Sequence, residues 1–179
     1  MQSIIKDVVV NREEFDVGFA QAQRRFQGSL GRVFTRLLDG IKDEPPGTTG
    51  VNLYQHSLLT ASYADDDGAD EETIVCALLH DLSLLLCPYD HEDMIFVLLK
   101  QFISDKNQWI LQNHALLNRV YMTPPDLTAV EKFKDHAYFQ DGMKFAEYDY
   151  AAFKNVPHKP LSHFVPMMDR LFSRTVTVS

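Results

Sequence analysis

A histidine followed directly by an aspartate interrupts the most apolar stretch of the chain. His80 and Asp81 lie inside the run Ile74–Leu86, which is otherwise almost entirely apolar. An ionised carboxylate is costly to bury unless a cation or strong hydrogen-bond donors compensate its charge. A shared metal ion would supply that compensation, and so would a hydrogen-bonded His–Asp pair without metal. The dipeptide alone does not decide between them.

Residues of metal-binding type recur on the neighbouring predicted helices. His56 lies on the apolar stripe of the preceding helix, so antiparallel packing of the two helices would bring its imidazole to the His–Asp pair. His91 begins the following helix, and His114 lies among apolar residues of the next one. Asp149 stands in an aromatic segment, where an unpaired carboxylate would be poorly solvated. This context favours metal coordination over an isolated His–Asp pair.

The donor set predicts two metal ions rather than one. A mononuclear site needs about four protein ligands, whereas this set offers more and can share a bridging carboxylate, Asp81. Imidazole and carboxylate without thiolate favour Fe, Mn, Ni or Zn, and the donor types alone do not choose among these metals. The predicted ligands are His56, His80, Asp81, His91, His114 and Asp149.

These ligands would be positioned by helices, because apolar residues recur mostly at intervals of three and four. The sequence predicts an all-α protein, a helical bundle with a buried metal site and a single domain over residues 1–179. Leading helices occupy 1–42 and the metal-binding core 51–172. The predicted helices are Phe15–Phe26, Leu30–Ile41, 51–64, Ile74–Leu86 after an Asp70 N-cap, 91–102, 104–121, 126–153 with a bend at 135–138, and a last helix through Phe172 capped by Ser162.

The bulk composition excludes several classes of function. A net charge of −8 without a dense basic cluster argues against nucleic-acid binding. No apolar run reaches the roughly 18 residues of a membrane span. Met1–Val10 does not resemble a signal peptide, and Cys76 and Cys87 are expected to be buried thiols of a reducing compartment. We therefore expect a cytoplasmic protein that binds neither membrane nor nucleic acid.

Three segments, Leu53–Ala61, Gly68–Glu72 and Ala77–Asp81, resemble the HD-domain superfamily. The resemblance covers roughly Val51 to Phe172 and is close to the branch of mixed-valent di-iron oxygenases that oxidise aminophosphonates, with myo-inositol oxygenase more distant. That branch has two additional histidines between the HD pair and the final aspartate of the core, which implies the ligand roles of His91, His114 and Asp149. The chain is more similar still to a group of bacterial HD proteins that share its segments Trp109–His114 and Leu161–Phe172, and for that group the ligands, but no substrate, carry over.

The chain departs from the phosphonate oxygenases at three places. Leu84 stands where they have a third histidine, Asn118 replaces a lysine that binds the substrate anion, and Pro46-Gly47 replaces a tyrosine. The resemblance therefore implies that Asn118, Arg119 and Leu84 contact the substrate. Because a fixed cation and an imidazole are lost, we expect a less charged organic substrate, such as a monocarboxylate bound by Arg119. Alternatively, Arg119 is a surface residue at a helix end.

These observations favour a di-iron oxygenase whose partners are O2 and a small organic molecule. A metal-dependent phosphohydrolase acting on a nucleotide or other phosphate ester is the alternative, and a non-catalytic ligand-binding scaffold is the third. The HD motif alone is shared with phosphohydrolases, so only the additional ligands favour the oxygenase. We expect His136, His158 and His163 to have structural or surface roles.

Overall fold

Helices form all the regular structure of residues 11–174, the part of the chain that the computed structural model describes. The all-α prediction is confirmed. Residues 1–10, where no signal peptide is predicted, and 175–179 lie outside the described part. The helices are α1 Arg12–Gln27, α2 Leu30–Gly40, α3 Leu53–Asp66, α4 Glu71–Leu79, α5 His91–Leu99, α6 Asp105–Asn118, α7 Thr128–Glu131, α8 Phe139–Ala151 and α9 Leu161–Phe172, with 3-10 turns at Leu82–Leu85 and Arg119–Tyr121.

The main core lies around α4, which packs against α3, α6, α8 and α9. Every residue of α4 from Thr73 to Leu79 is buried, which confirms the prediction of a central helix. Helices α6 and α8 pack against each other on one side, and α2 packs on α9 on the other. Leu78, Ile110, Phe145 and Phe164 are almost completely buried in this core. The apolar contacts thus fix four of the helices that carry predicted ligands.

The start of α3 is fixed by a capping box. The backbone N–H of Gln55 donates to the side-chain oxygen of Asn52 at 2.9 Å, and the backbone N–H of Asn52 donates to the side-chain oxygen of Gln55 at 3.1 Å. Asn52 Nδ2 also donates to the carbonyl oxygens of Lys42 and Glu44. These bonds tie the preceding loop to the helix and set the position of His56 one turn later.

The start of α4 matches the predicted cap. Gly68, with φ of +79°, ends the preceding turn in a conformation that suits glycine. Asp70 then accepts a hydrogen bond from the Thr73 amide at 2.8 Å, as expected of an N-cap. Glu71 in the first turn makes two hydrogen bonds with Arg170 of α9. Asp70 therefore fixes the beginning of α4, and Glu71 ties the helix to α9.

The predicted helix Ile74–Leu86 is wrong beyond Leu79. Helix α4 ends there, and the chain continues into the 3-10 turn Leu82–Leu85, with Leu85 and Leu86 exposed. In a regular α-helix adjacent side chains point about 100° apart. The change of backbone conformation at Asp81, φ −100° and ψ −1°, lets His80 and Asp81 face the same group of residues. The break in the helix thus serves the predicted site.

Other boundaries differ by smaller amounts. The Ser162 cap is wrong, because α9 starts at Leu161 after Pro160 and Ser162 lies inside its first turn. Helix α6 ends at Asn118 rather than Tyr121. The predicted helix 126–153 is wrong in its first part, where only the short α7 forms, and the break predicted at 135–138 belongs to the longer gap between α7 and α8. Cys76 is buried as expected, but Cys87 is only partly buried. Among the described helices, none combines the length and apolar character needed to cross a membrane.

The close contact of α6 with α8 depends on Gly142. A Cβ atom added there would lie 2.7 Å from Leu117 Cδ1 and 2.7 Å from Trp109 Cζ3. We expect Gly142→Ala to lower the free energy of unfolding by about 1–3 kcal/mol, measured by urea denaturation, because the core would be overpacked. Gly40→Ala is the control, since its added Cβ meets nothing within 4 Å. Equal stability of the two variants would contradict this packing.

Candidate metal centre

Five segments bring the six predicted ligands to one place. His56 comes from α3, His80 and Asp81 from the end of α4, and His91 from the first residue of α5. His114 of α6 and Asp149 of α8 complete the set. Sequence positions 93 residues apart thus meet in the core. The structure brings the six side chains together, and their role as metal ligands stays a prediction.

One half of the cluster lies deep in the bundle. Asp81 Oδ2 is 3.5 Å from His56 Nε2 and 3.3 Å from His80 Nε2. Asp149 Oδ1 lies 3.0 Å from the same nitrogen of His56 and 3.6 Å from that of His80. The side chains of His56, His80 and Asp149 are at most 4% exposed. Two imidazoles and two carboxylates therefore enclose one potential metal position.

The other half uses the second oxygen of the same aspartate. Asp81 Oδ1 is 3.3 Å from His91 Nε2 and 3.3 Å from His114 Nε2. The side chains of Asp81 and His91 are 16% and 15% exposed, so this half is closer to solvent. Asp81 is therefore placed to bridge two positions, each facing its own pair of imidazoles. This geometry suits two cations that share one carboxylate.

Hydrogen bonds fix the ring orientation of three histidines. His80 Nδ1 lies 2.8 Å from the Ala77 carbonyl oxygen, and His114 Nδ1 lies 2.7 Å from that of Leu111. His91 Nδ1 lies 3.2 Å from a carboxylate oxygen of Glu92. An Nδ1–H that donates to such an oxygen leaves Nε2 with a free lone pair. All three rings therefore present the metal-binding nitrogen to Asp81.

His56 is held by packing instead. Its ring stacks on Phe153, with centroids 4.6 Å apart and planes inclined by 23°. Among the described residues, its Nδ1 is buried and has no hydrogen-bond partner. Phe153 could not be identified from the sequence, because its contact with His56 joins α3 to the residues that follow α8.

Asn118 contacts a predicted ligand rather than open space. Its Nδ2 donates to Asp149 Oδ2 at 3.0 Å, and the residue is buried. The bond leaves Asp149 Oδ1 directed at His56 and His80. Asn118 was expected at the position of a substrate-binding lysine. The structure instead places its amide group as an orienting partner of Asp149.

The electrostatics of the cluster favour a bound positive charge. Burial opposes protonation of His80, but Asp81 and Asp149 outweigh it and hold the pKa of His80 well above its usual value. Burial likewise opposes ionisation of the two aspartates, yet the imidazoles lower the pKa of both carboxyls. Without metal, a proton on His80 takes the place of a cation. The donor set and this charge balance fit a metal site.

The remaining predicted site residues lie outside these contacts. The Arg119 side chain is 53% exposed, and its guanidinium is 4.0 Å from Asp126. Leu84 is half-buried in the 3-10 turn, where its amide donates to the Asp81 carbonyl. The structure therefore does not bring Arg119 to the cluster, and Leu84 stays a prediction as a pocket residue.

The other histidines fit the structural roles expected of them. His136 stacks on Trp109 at 4.3 Å, His158 lies 3.0 Å from the Lys159 carbonyl, and His163 pairs with Asp65 at 2.8 Å. None of the three joins the cluster of ligands.

Comparison of the sequence with protein-family models and with curated proteins finds no match.

The hydrogen bond to Asp149 makes Asn118 a positioning residue. We expect Asn118→Leu, which keeps the bulk but removes the donor, to weaken metal affinity roughly 10–100-fold, as the loss of an orienting partner typically does. Asn113→Leu is the control, because Asn113 donates to the Trp109 carbonyl on the same helix. Competition titration with a chelating dye measures both variants. Equal affinities would show that the bond does not hold Asp149.

Metal binding should release protons at neutral pH. The raised pKa of His80 keeps its imidazole protonated in the metal-free protein, and a metal ion requires the neutral ring. Affinity for Zn²⁺ should therefore increase as the pH rises toward that pKa. Calorimetry in two buffers of different ionisation enthalpy counts the protons, with His163→Ala as an exposed-histidine control. Binding without proton release would contradict the charge assignment.

Proposed function

We propose that this chain is a dinuclear metal enzyme of the HD superfamily, which uses two iron ions to oxidise a small organic substrate with O2. The observation that carries the proposal is the arrangement around Asp81. One carboxylate oxygen faces His91 and His114, and the other faces a different pair of imidazoles. A carboxylate shared in this way is what two adjacent cations require.

The more exposed half has the donor set of an oxygen-activating iron. His91, His114 and Asp81 supply two imidazoles and one carboxylate. A 2-His-1-carboxylate set with open coordination positions is typical of non-haem iron oxygenases. Iron bound there would supply the activation of O2. The three side chains would hold that ion, and three protein ligands leave coordination positions open.

The deeper half has the character of a supporting site. Asp149 adds a fourth protein ligand there, and burial excludes water from His56 and His80. A position closed by four protein ligands retains its metal, whereas an open one exchanges ligands. This asymmetry supports substrate access at the half that contains His91.

The charges around the cluster support a substrate with little negative charge. In the described part of the chain, the six residues form ion pairs only with one another and, through His91, with Glu92. Arg119, the predicted anchor, pairs with Asp126 instead. A phosphate dianion would therefore depend on the metals alone, which favours oxidation of a neutral or monoanionic molecule.

The phosphohydrolase alternative uses the same centre. Two cations that share Asp81 could also bind a phosphate ester and activate a water molecule, as two-metal hydrolases do. The two functions differ in metal identity and in the need for O2. These two properties are therefore the ones to measure.

Protein purified without added metal should contain about two irons per chain, as the two halves of the cluster require. A mixed-valent EPR signal should appear on partial oxidation. Asp81→Ala should lose the second iron and the signal, because it removes the shared ligand. His136→Ala is the control, since its ring stacks on Trp109 outside the cluster.

Other outcomes would overturn the assignment. Mn, Ni or Zn together with turnover of a phosphate ester in the absence of O2 would establish the hydrolase instead. Equal metal loss in Asp81→Ala and His136→Ala would contradict the ligand set. Rapid O2 consumption with short aminophosphonates would show that Asn118 and Leu84 do not exclude a dianionic substrate.

A further inference from the structure

Helix α1 has a continuous apolar face that the rest of the described chain does not cover. None of its residues is buried in residues 11–174. Phe15, Phe19, Ala22 and Phe26 follow one another at intervals of four, three and four, the spacing of a coiled-coil seam. The three phenylalanines are 57%, 55% and 66% exposed. An apolar stripe with this spacing is typical of a helix that packs against another helix.

Helix α1 makes few contacts with the rest of the described chain. A helix of 16 residues is marginal in water without packing. Among the described residues, its side-chain hydrogen bonds to other elements come from Gln27 in its last turn, which donates to the carbonyl oxygens of Phe172 and Arg174. Phe15 and Phe19 stack only along the helix itself, at 6.0 Å. The seam therefore needs a partner helix for its stability.

The charges of α1 identify a second copy of the same helix as a matching partner. In its first half the carboxylates of Glu13, Glu14 and Asp16 outnumber the one cation, Arg12, whereas Arg24 and Arg25 lie in its last turn. Two copies placed antiparallel would set each acidic end beside the basic end of the other. Their helix dipoles would also oppose each other favourably. A parallel pair would bring like charges together.

We propose that α1 is the interface of a homodimer, in which two copies of the helix pack antiparallel about a twofold axis. The register that aligns the seams sets Phe15 opposite Phe26 of the second copy. It also sets Phe19 opposite Ala22, so that a large side chain faces a small one. Such an interface is isologous and closes on itself. It lies at the N-terminal end of the described chain and does not depend on the proposed enzyme activity.

The mass of the full chain in solution tests this assembly. Sedimentation velocity should give twice the 20.5 kDa chain mass. Phe19→Glu places a charge in the seam and should give monomer. Val17→Glu is the matched control, because Val17 is also 55% exposed but lies about 200° around the helix axis from Phe19. A wild-type monomer over the whole concentration series, or a dimer that survives Phe19→Glu, overturns the proposal.

Charge variants test the antiparallel direction. Arg24→Glu with Arg25→Glu makes both ends of α1 acidic, and Glu13→Lys with Glu14→Lys makes both ends basic. Each variant alone should be monomeric, and their mixture should form a heterodimer at low salt. Circular dichroism verifies that both variants keep the helical fold of the wild type. A mixture that stays monomeric, or single variants that dimerise as the wild type does, would contradict antiparallel pairing.

Discussion

The burial of two carboxylates against four imidazoles is the constraint on which the rest of the structure depends. Asp81 and Asp149 are ionised in a place where water cannot solvate them fully, so positive charge must be supplied there. This requirement explains features that apolar packing alone does not. Helix α4 ends at Leu79 so that His80 and Asp81 can face one point, and α8 carries an aspartate among aromatic residues.

Three of the imidazoles are oriented by residues close to them in the sequence, and the fourth is oriented by a distant one. His80 and His114 each bond a carbonyl three residues earlier in their own helix, and His91 bonds its neighbour Glu92. Local backbone geometry therefore orients three rings wherever their helices pack. His56 instead depends on Phe153, which belongs to a distant part of the chain. The deeper half of the centre thus forms only when α3 and α8 come together, whereas the exposed half needs α5 and α6.

This difference in range explains what the sequence could predict. The six residues of the cluster could be singled out because charged or polar groups stand inside apolar helical patterns, where each needs a compensating partner. The helix break after Leu79 could not be predicted, because the leucines that follow continue the apolar run. The bond between Asn118 and Asp149 was also missed, since it joins residues 31 positions apart and depends on how α6 packs on α8. Whether metal is bound, and which metal, stays a prediction.

The orienting role of Asn118 also bears on the charge of the substrate. An amide donor directs Asp149 without adding a positive charge, unlike a lysine at the same place. If two cations bind there, the two ionised aspartates would balance only part of their charge. In the described chain the cluster pairs with no Lys or Arg, so an anionic ligand would be bound by the metals alone. The centre itself, rather than a dedicated basic residue, would then select the charge of what it binds.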